Sequence, residues 1–243
     1  MASWDDFQNA LIVRMDEPNT ALALPKDLNK SRFALNAVAF LKGANSAVME
    51  CGQQQIISCL MQGATLGLDF MAKDCYAVPY KGKLEFMTSP TGDIKLVKRY
   101  AKRPVKEIDA KLVREGDDFK YTCHNGEYSF TYSPKPFSKE PIIGAFAWVE
   151  YVDGGMLLDV LDKEELDAAR SQSRASNSPA WTKFTTEMYR KVAIHRVCKK
   201  VTKDFETAQQ QEIFDNGVAI VTDDRESRDK DIVEEANAQE FAP

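Results

Sequence analysis

VKEIDAKLVREGDDFKYTCHNGEYSFTY, residues 105–132, is the stretch whose reading decides the fold class. Apolar and polar residues alternate along it with a period of two, and the alternation breaks at Glu115-Gly116-Asp117 and again at Asn125-Gly126. Asn-Gly between alternating segments marks a tight hairpin, because both central residues of the favoured turn need positive φ. The stretch therefore predicts two or three antiparallel strands.

The same pattern recurs on either side. IIGAFAWVEYV (142–152) and MLLDVL (156–161) flank Asp153-Gly154-Gly155, while Tyr76, Val78 and Tyr80 alternate toward Lys81-Gly82-Lys83 and Leu84 and Phe86 resume beyond it. Before Tyr76 the period changes. LNKSRFALNAVAFLK (28–42) and CGQQQIISCLMQGATLGL (51–68) repeat apolar residues three and four apart, with Gly43, Gly63 and Gly67 as expected helix stops. A short helix is expected over 93–102, ended by Pro104. Another begins at Asp162, whose spacing to Glu165 fits a capping box, and a third begins at Ser178-Pro179. In that last helix Trp181, Phe184, Met188 and Val192 lie on one side and Ile194, Val197, Cys198 and Val201 on another, so it is expected to be sandwiched or bent. The architecture reads as α+β: antiparallel β hairpins bracketed by helices. The expected divisions are a helical N-terminal region (1–72), an α+β core (73–205) and an acidic tail (206–243) that is mobile or binds a partner, with a short helix at 231–240.

Charge separates these regions. The net charge of −5 argues against a simple basic binder of polyanions, but from Asp204 onward twelve acidic residues stand against three basic ones, leaving 29 basic against 25 acidic in the body. Residues 95–106 hold six cations and no anion, and residues 168–203 hold nine cations against Glu187 alone. Five cysteines form no CxxC pair and the histidines are His124 and His195, so neither a disulfide framework nor a zinc site has its ligands at the usual spacing. Buried free thiols are expected. No apolar run of about 18 residues and no signal-peptide core occurs, which predicts a soluble, cytoplasmic protein.

Several chemistries lack their residues. There is no GxxxxGK[ST] phosphate cradle, no GxSxG and no HExxH, and no catalytic residue or required cofactor is expected. Asp109, Asp117, Asp118 and Glu127 leave open a Mg²⁺-dependent nuclease, although EGDD at a strand end more often makes a solvated turn. An adaptor docking on an acidic protein is a second alternative. What remains is cations interleaved with aromatics, which suits a single strand of nucleic acid: charges track the backbone and flat side chains receive bases. A solvated helix face would mix both signs, whereas no acid interrupts 95–106. Phosphate contact is accordingly expected from Lys95, Lys98, Arg99, Lys102 and Arg103, with Lys106 at the helix exit. It is also expected from Lys81 and Lys83 at the first hairpin, and from Arg170, Arg174, Lys183, Arg190, Lys191, Arg196, Lys199 and Lys200. Trp181, Tyr76, Tyr80 and Trp148 are assigned to the core, and His195 to a packed or phosphate-facing position.

GATLGLDF (63–70) with CYAVPYKGKLEFM (75–87), VREGDDFKY (113–121), the hairpin at DGG (153–155) and above all ARSQSRASNSPAWTKFTTEMYRKVAIHRVCKK (169–200) resemble the RecT family of phage and prophage recombinases. The resemblance runs in order over about residues 45–205. It implies annealing of complementary single strands without ATP, assembly as a ring or filament on single-stranded DNA and annealed duplex, and action in phage-type homologous recombination in a bacterial host. It also implies a phage exonuclease and the host single-strand-binding protein as partners, the acidic tail being a candidate contact, and leaves a role for Mg²⁺ open. Two departures stand out. Pro90-Thr91-Gly92 replaces Tyr-Lys/Arg-Gly, and Lys191-Val192 with His195-Arg196 replaces Lys-Thr and paired Arg, so the implied surface lacks a charge at each place.

Overall fold

The computed structural model describes residues 4–80, 82–171 and 179–217. In chain order the elements are α1 (Trp4–Asp16), α2 (Pro18–Ala23), α3 (Lys30–Gly43), α4 (Ser46–Glu50), α5 (Gln53–Leu66), β1 (Cys75–Tyr80), β2 (Lys83–Thr88) and α6 (Pro90–Tyr100). There follow β3 (Val105–Arg114), β4 (Asp118–His124), β5 (Glu127–Ser133), β6 (Ile142–Tyr151), β7 (Met156–Asp162), α7 (Lys163–Ser171), α8 (Pro179–Lys183), α9 (Thr185–Lys200) and α10 (Ala208–Gly217). They divide into two compact units: among the described residues, one holds 4–92 with 205–217 and the other holds 93–204.

In the first unit, helix starts follow local capping chemistry. The Asn29 side chain accepts from Arg32 N at 2.9 Å to start α3, and that of Asn45 accepts from Val48 N at 3.0 Å to start α4. α5 ends where Gly67 takes φ 67° and its N–H reaches Ala64 O while Leu68 N reaches Gly63 O, both at 2.9 Å. Gly63, expected as a stop, instead lies inside α5: a Cβ there would come 2.6 Å from the Phe70 ring, so its smallness serves packing. β1 and β2 pair from Cys75↔Thr88 to Tyr80↔Lys83, as their alternation predicts. Gln55 of α5 tethers the hairpin, donating to Gly82 O at 3.1 Å and accepting from Leu84 N at 3.0 Å. α10 packs on α5 and β2 with Ile213 and Phe214 buried. Its Gln210, 0% exposed, donates to Ala23 O and Thr65 O at 3.3 and 3.1 Å. Residues 208–217 thus form a packed helix within the segment expected from the sequence to be an acidic tail, mobile or partner-binding. The helix expected at 231–240 lies outside the described residues.

In the second unit β3, β6 and β7 form an antiparallel sheet in the order β3-β6-β7, and β4 and β5 form a separate hairpin. Its turn falls at Asn125 and Gly126, with φ of 52° and 82°. Pairing Phe119↔Tyr132, Tyr121↔Phe130 and Cys123↔Tyr128 puts the aromatics on one face of the hairpin, and that face packs on Val113, Phe146 and Leu158. The Phe119 and Phe146 rings stack with centroids 4.5 Å apart. The opposite sheet face carries Ala145, Ala147 and Val149, all buried, and Asp159, which pairs with Ala147 across the ladder. α9 lies there, and the two alanines leave room for it. The capping box of α7 is present: Asp162 N donates to Glu165 Oε2 at 3.1 Å and Glu165 N to Asp162 Oδ1 at 2.8 Å. The helix expected from Pro179 breaks at Phe184 into α8 and α9. α9 is buried on several sides, which explains why its apolar residues make no single stripe.

Candidate nucleic-acid interface

α6 turns Leu96, Val97 and Tyr100 inward, all at most 5% exposed, and leaves Lys95, Lys98 and Arg99 on its outer side. Its C-terminus meets the C-terminus of α9. Ala101 bridges Lys203, Lys102 N donates to Thr202 O at 3.0 Å, and Asp204 N donates to Tyr100 O at 2.7 Å. Two cationic segments almost a hundred residues apart in sequence are thereby joined end to end. The side chains of Lys98, Lys102 and Lys199 are exposed there and form no hydrogen bond or ion pair among the described residues. Arg99 lies 6.0 Å from the Tyr100 ring centroid. Lys203 Nζ instead closes the helix end, donating to Cys198 O at 2.7 Å and Val201 O at 2.9 Å, and Asp204 is the exposed acid at the junction. Part of this positive charge offsets the negative ends of two helix dipoles. Lys102, beyond the last turn of α6, is not accounted for in that way.

The other cations of α9 turn to carboxylates on the strands. Arg190 donates to Asp109 Oδ1 at 2.8 Å and Ala110 O at 3.1 Å, and Lys111 reaches the other Asp109 oxygen at 2.7 Å. Arg196 forks between Asp159 Oδ2 at 3.1 Å and Glu165 Oε1 at 2.7 Å, and Lys200 takes Asp159 Oδ1 at 2.6 Å. Asp159 is 4% exposed, so two cations answer one buried carboxylate. Burial pushes the Asp109 carboxyl up, but its hydrogen bonds from Lys111 and Arg190 outweigh burial and hold it below the usual carboxylate value. Burial likewise lowers the Arg196 guanidinium, and Glu165 and Asp159 together more than reverse that. Lys191 is buried outright at 4% exposure.

A similar internal pairing engages the exit from α6. Arg103 forks onto Asp153 and Gly154 O at 2.8 Å and lies 4.0 Å from the Tyr151 ring centroid, while Lys106 pairs with Glu150 at 2.6 Å. Of the remaining expected contacts, Lys183 is exposed at the end of α8 and Arg170 is partly buried in the last turn of α7. Lys83 is exposed in the first unit, on β2. Lys81 and Arg174 lie outside the described residues.

His195 does not face a phosphate. It is 2% exposed, with Nδ1 hydrogen-bonded to Asp93 Oδ2, a residue 102 positions away, and its Nε2 and Asp93 Oδ1 have no partner. This position therefore holds a buried polar pair and adds nothing to a charged surface. Trp181, 2% exposed, packs edge-on against Tyr189, and Tyr76 is buried; Trp148 is half-buried against the aromatic cluster. The Tyr80 side chain lies outside the described residues. Cys51, Cys59, Cys75 and Cys198 are buried thiols, whereas Cys123 is exposed on the hairpin.

Three of the four carboxylates of the nuclease alternative, Asp109, Asp117 and Asp118, have structural partners. Asp117 accepts from Arg114 N at 2.8 Å and Lys135 N at 2.9 Å, and Asp118 pairs with Lys120 at 3.1 Å. No three His, Cys, Asp or Glu side chains converge as a metal site among the described residues. The sequence reading passed over the β5–β6 loop, PKPFSKEP (134–141), where Phe137 stands 99% exposed. A lone aromatic between prolines and lysines, outside any apolar period, was the available signal.

No helix among the described residues is long and apolar enough to cross a membrane. The chain is similar to Protein RecT of Escherichia coli (strain K12), 25% identical over 189 residues that cover 74% of this chain and 69% of that protein. The RecT family model matches residues 31–233, which take in all of the second unit's residues 93–204 and the joined cationic helix ends. On that match the chain belongs to the RecT family, and with it to the proteins of DNA recombination and annealing.

Proposed function

We propose that this chain binds single-stranded DNA and anneals complementary strands without ATP. The observation that carries the reading is the Ala101–Lys203 bridge, which turns two separate cationic segments into one exposed group of Lys98, Arg99, Lys102 and Lys199. Such a group contacts phosphates and leaves base edges free to pair. Lys95 extends it along α6, and Arg190, Arg196 and Lys200 hold α9 in place from behind.

Annealing is downhill once two polyanions are brought together, so the protein needs to supply counter-charge and hold a strand extended. No bond is made or broken. One protomer's group spans only a few nucleotides, and self-association along a strand raises the affinity of weak individual contacts. The chain's net charge of −5 does not oppose this, because the acids concentrate after Asp204.

The test is annealing of two complementary labelled oligonucleotides, without ATP, across a salt series. Acceleration over the protein-free rate is expected, with affinity falling by about 0.7 log units per log unit of salt for each phosphate contacted. An unchanged annealing rate with salt-independent binding would overturn the reading. Accumulation of shortened strands that stops in chelator would replace it with the nuclease.

A further inference from the structure

The β5–β6 loop presents a ring in an unusual way. Phe137 has φ 59°, in the left-handed region, which the turn residue Asn125 tolerates and which a bulky aromatic disfavours. Its ring is 99% exposed, so no packing among the described residues repays that conformation. A non-glycine residue held in a disfavoured conformation without an internal contact points outward, to a function.

The loop around it is fastened. Lys135 N donates to Asp117 Oδ1 at 2.9 Å, Ser138 N to Lys135 O at 3.3 Å and Glu140 N to Ser138 Oγ at 3.2 Å. Arg114 Nη1 donates to Glu140 O at 2.6 Å and Glu115 N to Pro141 O at 3.0 Å, while Pro134 and Pro136 fix their own φ. The ring therefore stands on a pre-ordered base, and a partner meeting it orders little further backbone. Lys135 and Lys139, two residues to either side, are exposed and unpaired among the described residues. The exposed acids Glu115 and Glu140 lie at the loop's roots, not beside the ring in sequence.

A flat ring with both faces open, two residues from a cation on each side in the sequence, matches a nucleobase between two phosphates. We propose that Phe137 is a stacking site for one base of a single strand, with Lys135 and Lys139 on the flanking phosphates. The proposal rests on the single-strand-binding reading above and adds a base contact to a site otherwise made of charges. Stacking is tolerant of base identity, as annealing of arbitrary sequences requires.

The experiment compares an oligothymidine with an abasic strand of equal length, binding each to the full chain and to Phe137→Ala, Phe137→Leu and Phe137→Tyr. The wild-type chain is expected to favour the strand with bases. Phe137→Ala and Phe137→Leu should lose about tenfold in affinity for it, the size of one base–aromatic stack. Their abasic affinity and salt slope should be unchanged, and Phe137→Tyr should restore the preference. If the wild type binds with a salt slope but Phe137→Ala binds oligothymidine equally well, the stacking site is wrong and the reading beneath it stands. If Phe137→Leu behaves as wild type, or Phe137→Ala weakens both strands equally and shrinks the assembly by light scattering, the ring is an apolar knob for a second copy. If the wild type binds neither strand, both proposals fall.

Discussion

α6 and α9 carry nearly the same kind of sequence, cations with one acid in the first turn, and the fold treats them in opposite ways. On α9, Arg190, Arg196 and Lys200 find Asp109 on β3, Asp159 on β7 and Glu165 on α7. On and just after α6, Lys98 and Lys102 find none among the described residues, and Lys199 at the end of α9 joins them. The difference is one of position. The strands beside α9 supply acids, Asp159 on the face that it covers and Asp109 on the edge strand β3, whereas no acid reaches Lys98 or Lys102 among the described residues. A cationic run in a sequence thus has no single meaning until the elements packed against it are known.

The comparison breaks first at Asp159. Asp159→Ala leaves Arg196 and Lys200 without their shared carboxylate, and unfolding in urea should show a loss of about 3 kcal/mol. An unchanged midpoint would mean that the α9 cations are free for DNA after all. The reciprocal variant, Lys98→Ala with Lys102→Ala and Lys199→Ala, should leave stability within about 0.5 kcal/mol. It should lower the salt slope of strand binding by about 2, one phosphate contact each. A slope that does not move would transfer the contact to other cations.

A smaller effect separates the two helices by pH. Asp109 is held below the ordinary carboxylate value, so its contribution is fully present above about pH 4 and is lost as pH falls through its lower folded value. Asp109→Asn should therefore cost about 1 kcal/mol near neutrality, modest because Arg190 is 42% exposed, and progressively less in acid. A difference that stays constant from pH 7 to pH 3 would remove the Arg190 bond from the stability of α9. The smallest effect is at Phe137. Phe137→Asn relieves a left-handed aromatic and should raise stability by about 0.5–1 kcal/mol, read as a higher Tm. A lower Tm would mean that the ring packs against something within the chain.

What could be read from the sequence was what local chemistry determines. Asn125-Gly126 announced a hairpin because its turn needs positive φ within two residues, and Asp162 with Glu165 announced a helix start because both bonds close within one turn. The α+β class followed from such signals. Where a pairing partner lies far along the chain, residue spacing holds no trace of it. His195 seemed to lack an acid because Asp93 is 102 positions away, and Arg190 looked available because Asp109 lies on a strand 81 positions earlier. The break at Phe184 and the helix α10 were missed for the same reason, since both are set by what the segment packs against. Lys98, Lys102 and Lys199 were identified as surface cations, but their junction depends on a bridge between Ala101 and Lys203, far apart in the chain.

Gln210 carries a consequence for synthesis. Its amide holds the carbonyls of Ala23 and Thr65, 187 and 145 positions earlier, inside a unit interrupted by residues 93–204. A ribosome delivers the N-terminal helices and the first hairpin long before it delivers their last helix. The inserted unit has all its strands in hand by then and is free to close first. Until then two carbonyls and the seat of Ile213 and Phe214 stay uncovered, so the packing of these early residues is complete only when the last helix arrives.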